Sequence, residues 1–126
     1  MIEVYVAGSY SPSSDVGGWG VVLVGEDKSP IKAKGAQKGS TQNSMVLKAT
    51  VEGLLMTDEN SQVKLISNSE YLVMGMKDAR RRKANRDLWE QLDNLANKRS
   101  IDWQQVGSHK WLKEAQMLAQ DALKGR

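Results

Sequence analysis

Side chains able to do chemistry are sparse in this chain. His109 is its single histidine and it has no cysteine, which removes disulfides, thiolate metal sites and cysteine nucleophiles together. Ser9, Ser67 and Ser69 lack the paired histidine and acid that would make one of them a nucleophile. Gly17, Gly18 and Gly20 precede an apolar run, not the helix a phosphate-binding loop needs, so a tight turn or a hairpin bulge is expected there. The dense feature is charge. Lys77, Arg80, Arg81, Arg82, Lys83 and Arg86 are interrupted only by Asp78 and small residues. Such a run either makes salt-sensitive, sequence-independent contacts to phosphates or forms an ordinary solvated face. A net charge of +3 and an isoelectric point near 9.2 lean mildly toward a polyanionic partner.

The elements that must hold these residues follow from periodicity. Ile2–Ala7 is rich in β-branched and aromatic residues and predicts a strand. Ser11–Gly18 (SPSSDVGG) reads as a turn, Trp19–Val24 as a second strand and Pro30–Gln37 as a third, together an antiparallel meander. Thr41 predicts a helix N-cap, the helix running to about Met56 and ending in the polar cluster Thr57–Ser61. Val63–Ser67 predicts a short buried strand, Ser69–Met76 a short helix, and Arg86–Lys98 an amphipathic helix with Leu88, Trp89, Leu92 and Leu95 inward. Ile101–Val106 and Leu112–Lys124 complete the order as strand and helix. The expectation is one α/β domain over residues 1–126, a mixed five-stranded sheet flanked by helices. With no membrane-spanning apolar run and no signal-peptide pattern at Met1–Gly8, a cytoplasmic location is expected.

Read in order, VYVAGSY (Val4–Tyr10), GGWGVVLVG (Gly17–Gly25), TQNSMVLKATVEGLL (Thr41–Leu55), VKLISNSEYLVMGM (Val63–Met76), NRDLWEQLDNL (Asn85–Leu95) and WQQVGSH (Trp103–His109) resemble ribonuclease H of type I. The resemblance implies the ribonuclease H-like fold, in agreement with the element order. It also implies hydrolysis of the RNA strand of an RNA–DNA hybrid with two magnesium ions, one helping to generate the attacking hydroxide and one stabilising the leaving oxygen. Family motifs read roughly T-D-G-S in the first strand, N-N-x-M-E-L in the first helix, S-D-S in the fourth strand and A-D-x-L-A in the last helix, each acid a metal ligand. The matching positions here are Ala7, Val46, Asn68 and Gln116. Magnesium needs oxygen donors and its charge needs carboxylates; Ala7 and Val46 supply no side-chain oxygen, and Asn68 and Gln116 supply neutral ones. Two dications there would repel largely uncompensated, by roughly several kcal/mol even at an effective dielectric near 20.

No neighbouring acid is placed to substitute. Glu3 shares a strand face with Ala7 but lies roughly 13 Å away. Glu52 is about 120° round its helix from Val46, and Glu114 about 200° from Gln116. Glu70, where the family often has a polar hybrid-contacting residue, is the best remaining acid, and one carboxylate does not make a two-metal site. The resemblance further implies hybrid contacts at Thr41, Gln42 and Asn43, residues that equally serve as a helix cap. It places a short version of the family's basic, DNA-gripping protrusion at Lys77–Arg86. His109 sits one residue displaced from the family's V-x-G-H loop and is expected as a surface histidine. The reading is a ribonuclease H-like protein without catalytic residues that binds RNA–DNA hybrid or other nucleic acid through Thr41, Gln42, Asn43, Glu70, Lys77, Arg80, Arg81, Arg82, Lys83 and Arg86. Two alternatives stay open: a protein-interaction or structural module, and an active ribonuclease H. No cofactor is expected, Mg2+ or Mn2+ entering only with retained activity. Partners are nucleic acid or a protein, not a membrane.

Overall fold

Residue alternation in the first strand, β1 (Ile2–Ser11), decides the two sides of the molecule, because successive side chains of a strand point to opposite faces. Val4 and Val6 face one core, Tyr5 and Ala7 the other. The computed structural model describes residues 1–124. β1 is followed by β2 (Val16–Val24), β3 (Pro30–Lys38), α1 (Gln42–Leu55), β4 (Gln62–Ser67), α2 (Glu70–Lys77), a single 3-10 turn (Ala79–Arg81), α3 (Arg86–Ala96), β5 (Ser100–Gln105) and α4 (Lys110–Lys124). The sheet order is β3-β2-β1-β4-β5. β1, β2 and β3 form the expected antiparallel meander, and β4 and β5 add in parallel. The predicted α/β class and five-stranded mixed sheet are therefore the observed ones.

On one face α1 covers Val4, Val6, Val21, Leu23 and Leu65, and α3 packs on α1, with Leu47, Leu54, Trp89 and Leu92 completing the core. On the other, α4 brings Leu112 and Ala115 onto Tyr5, Ala7, Val22, Val24 and Ile66. Trp89 and Leu92 are buried while Leu88 and Leu95 pack at the margin, so the inward face of α3 is the predicted one. Among the described residues no helix is long and apolar enough to cross a membrane.

Two expectations fail at the first hairpin. Gly17, Gly18 and Gly20 lie inside β2, not in a turn or bulge, and the turn is confined to Pro12–Asp15, with Asp15 at φ 54°. The reason is the close approach of the helices. A Cβ on Gly18 would stand 2.1 Å from the Ala119 carbonyl oxygen, and one on Gly20 2.2 Å from that of Ala115. On the opposite face, a Cβ on Gly17 would meet Ser40 Oγ at 2.0 Å, and one on Gly8 the Val46 backbone nitrogen at 2.6 Å. At Gly8, Gly18 and Gly20 helix backbone rests on strand backbone, while Gly17 leaves room for the side chains of Ser40 and Met45. Gly20→Ala should cost about 1–3 kcal/mol of unfolding free energy in urea, the usual penalty for overpacking. Gly107→Ala, with nothing within 4 Å of its added methyl, should stay within about 0.5 kcal/mol of the parent.

Candidate nucleic-acid interface

Three elements deliver the polar residues to one place. β1 and β4 run parallel with Tyr5 beside Ile66, so Ala7, still inside β1, lies beside Asn68, which follows the last residue of β4. Gly8 lets the first turn of α1 settle against β1, which brings Gln42 in from above. α4 crosses the opposite face and points Gln116, and Gln120 one turn later, at the same spot. Ala7, Gly8, Ser9, Gln42, Asn68, Gln116 and Gln120 thereby line one open cavity of about 380 Å³. Three of the four positions matched to metal ligands converge there. Val46 does not: it is turned into the core between Val4, Val6 and Leu47 and is 4% exposed. Gln120 and Ser9 join the site without standing out in the sequence, although the i, i+4 spacing from Gln116 signals the former.

The cavity offers amides and a hydroxyl, no carboxylate. Nearby acids are committed elsewhere. Glu3 accepts a hydrogen bond from the Tyr5 hydroxyl at 2.7 Å, Glu52 pairs with Lys48 at 3.1 Å, and Glu114 with Lys32 at 2.5 Å. Glu70 lies at a separate surface hollow with Tyr71, Met74 and Arg81. Among the described residues no group of three or more His, Asp or Glu side chains could hold a metal ion. This donor set does not fit a pair of hard dications, which require anionic oxygens close together.

At the start of α1, Thr41 has a definite structural task. Its hydroxyl accepts from the Ser44 N–H at 3.0 Å, while Ser44 Oγ accepts from the Thr41 N–H at 2.9 Å, a reciprocal cap. Of the three candidate contacts here, Gln42 enters the cavity, and Asn43 stands exposed beside it.

The basic run divides. Arg82, one of the residues expected to contact nucleic acid, is engaged within the fold. Its guanidinium lies 4.4 Å over the Trp89 ring, grips Asp93 through two hydrogen bonds of 2.6 and 2.9 Å, and donates to the Gly75 carbonyl at 2.9 Å. Its side chain is 16% exposed. No sequence rule separates it from its neighbours, because Asp93 and Trp89 reach it only once α3 is packed. Arg80 is exposed but turned onto Asp78 at 3.0 Å, and that hydrogen bond draws the Asp78 carboxyl below its ordinary range. Lys77, Arg81, Lys83 and Arg86 are exposed and in no ion pair among the described residues. The stretch carrying them is braced by the Tyr71 hydroxyl, which accepts from Asn85 Nδ2 at 3.0 Å and Trp89 Nε1 at 3.3 Å and donates to the Ala84 carbonyl at 3.2 Å. Asn85 adopts the left-handed conformation, φ 64°, that this sharp entry into α3 requires.

His109 is exposed, as expected, and has a local role. Its Nδ1 accepts from the Trp111 N–H at 3.1 Å at the start of α4, and its ring stacks on Tyr5 with centroids 4.8 Å apart. It does not line the amide cavity.

Comparisons with known proteins agree on one family. The RNase H family profile matches residues 1–124. A ribonuclease H from Pseudomonas putida (strain W619) is 29% identical over 123 aligned positions, covering 86% of this chain and 81% of that protein. One from Legionella pneumophila (strain Lens) is 32% identical over 123 positions, covering 86% and 84%. The crystal structure of LC11-RNase H1 in complex with RNA/DNA hybrid superposes with a TM-score of 0.84 at 17% identity, covering 99% of this chain and 98% of that one.

Two outcomes test the geometry. Arg82→Ala should lower stability by about 1–3 kcal/mol in urea, since it strands Asp93 and uncovers Trp89. Arg81→Ala should stay within about 0.5 kcal/mol. Burial, and then the hydrogen bond to Glu3, push the Tyr5 phenol well above its ordinary value. The unfolded chain therefore loses this proton first: the contribution is fully present below about pH 10 and declines as pH rises above it. Tyr5→Phe should flatten the alkaline fall of the urea midpoint. It should not abolish it, because the hydrogen bond to Asp15 raises Tyr10 as well.

Proposed function

The chain belongs to the ribonuclease H family, and from that premise we propose that it binds RNA–DNA hybrid or other nucleic acid without hydrolysing it. The observation that carries this reading is the composition of the cavity. At the junction of β1, α1, β4 and α4, where the family resemblance puts four acids, Ala7, Asn68 and Gln116 face one space and Val46 is withdrawn into the core. Two-metal hydrolysis depends on anionic ligands that collect the ions and offset their mutual repulsion. An alanine floor ringed by amides supplies neither. Glu3, Glu52 and Glu114 each have another partner, and Glu70 faces a different hollow.

The binding half of the proposal rests on surfaces that do not use those acids. Gln42 and Asn43 lie exposed at the start of α1, where amides reach sugar hydroxyls and base edges of a minor groove. Lys77, Arg81, Lys83 and Arg86 form the cationic side, available for phosphates. A relative of the same fold, LC11-RNase H1, is known in complex with RNA/DNA hybrid, which supports the choice of duplex.

Fluorescence anisotropy with a labelled hybrid should show affinity that falls linearly with log salt on logarithmic axes. Replacing Arg81, Lys83 and Arg86 by alanine together should weaken binding and reduce the slope by about 1 for each phosphate no longer neutralised. With excess Mg2+ or Mn2+ the hybrid should stay intact. Cleavage that scales with protein and stops with chelator would instead make the chain an active nuclease. Absence of binding even at low salt would leave the fold a protein-interaction or structural role.

A further inference from the structure

The amide cavity has a property beyond the absence of metal ligands. Gln42, Asn68, Gln116 and Gln120 converge on it from three elements, and among the described residues none of their side-chain amides has a hydrogen-bond partner. Their solvent exposure makes them reachable: Gln42, Asn68 and Gln120 are exposed and Gln116 half-buried. Each primary amide carries two N–H donors. Four of them around a space of about 380 Å³, over an alanine floor and without a negative charge in the lining, form a neutral surface rich in donors.

The chemistry of a phosphate differs between this surface and an acid cluster. Carboxylates repel a phosphodiester, so an acid-lined site takes one up only through bridging cations. Amides have no charge to repel it, and hydrogen bonds to an ionised acceptor are stronger than neutral ones. We propose that this cavity holds a backbone phosphodiester of the bound strand directly on the side-chain amides of Gln42, Asn68, Gln116 and Gln120, so that nucleic-acid binding by this chain needs no divalent metal. The proposal rests on the nucleic-acid-binding reading above and adds where the backbone is held and by which groups. The backbone contacts that set the cavity walls, Gly8 against α1 and Gly20 against α4, keep the amides converging without a cation to gather them.

The test is anisotropy with a labelled RNA–DNA hybrid at fixed ionic strength, once in chelator and once in millimolar Mg2+. The wild-type chain should bind equally in both. Asn68→Ala with Gln116→Ala should weaken binding by about tenfold or more in chelator, since two donors to a charged oxygen are removed. That weakening should leave the salt slope unchanged, because uncharged donors release no counterions. Ala7→Asp, Asn68→Asp and Gln116→Asp combined should bind poorly in chelator and regain affinity with Mg2+. Circular dichroism melts monitor folding of each variant, and the alanine pair carries the test if the acid variant unfolds. Wild-type binding that drops on chelation, or an alanine pair that binds as tightly as wild type, overturns the proposal while leaving nucleic-acid binding itself standing. A wild-type chain that binds no hybrid at any salt overturns both.

Discussion

Backbone-to-backbone contact between helices and strands is the constraint on which this molecule depends. α4 can lie on β2 only because Gly18 and Gly20 have no side chain beneath the Ala119 and Ala115 carbonyls, and α1 can meet β1 only because Gly8 has none beneath Val46. Both approaches flank Ala7, which Gly8 follows in β1 and with which Gly20 pairs in β2. They bring a residue of α1, one following β4 and two of α4 within reach of Ala7. The convergence of the site is thus a product of glycine positions, not of attraction among the groups that converge.

A tight acid cluster is self-repulsive and raises the free energy of the protein that carries it. Here Val46 instead adds to the apolar core beside Leu47 and Val4, and Ala7 sits 2% exposed against Ala115 and Leu112. The Thr50 hydroxyl bonds back to the Val46 carbonyl at 2.8 Å within the helix. Such residues remove a source of strain, and the capping of α1 by Thr41 and Ser44 proceeds without any acid in its first turn.

Much of this architecture is legible in the chain. Period-two and period-3.6 patterns place five strands and four helices nearly at their observed bounds, because most of them bury one face and the pattern records it. Thr41 announces its cap through residue type alone. The first hairpin misleads because glycine is ambiguous: the same residue serves a turn and a close packing contact, and only the position of α4, distant in sequence, decides between them. The engagement of Arg82 within the fold is hidden for a related reason. Its partners Trp89 and Asp93 lie on α3 and meet it through tertiary packing, which a run of six cations does not reveal. Which positions answer to the family's acids is readable through the family resemblance. That Val46 turns away from the other three is not, since helix phase in the folded core decides it.

The brace around Tyr71 has a consequence for recognition. Asn85, Trp89 and Ala84 all meet one hydroxyl, and Arg82 is fastened between Gly75, Trp89 and Asp93. The backbone under Lys83 and Arg86 is thereby held in place, unlike that of a flexible basic arm. A flexible arm adapts its charges to any polyanion and loses conformational entropy in doing so. A fixed bracket keeps that entropy loss small, but its charges suit only partners whose anionic groups recur at a matching interval. For the nucleic-acid binding proposed above, the brace would make discrimination among polyanions a matter of groove width and strand spacing more than of total charge.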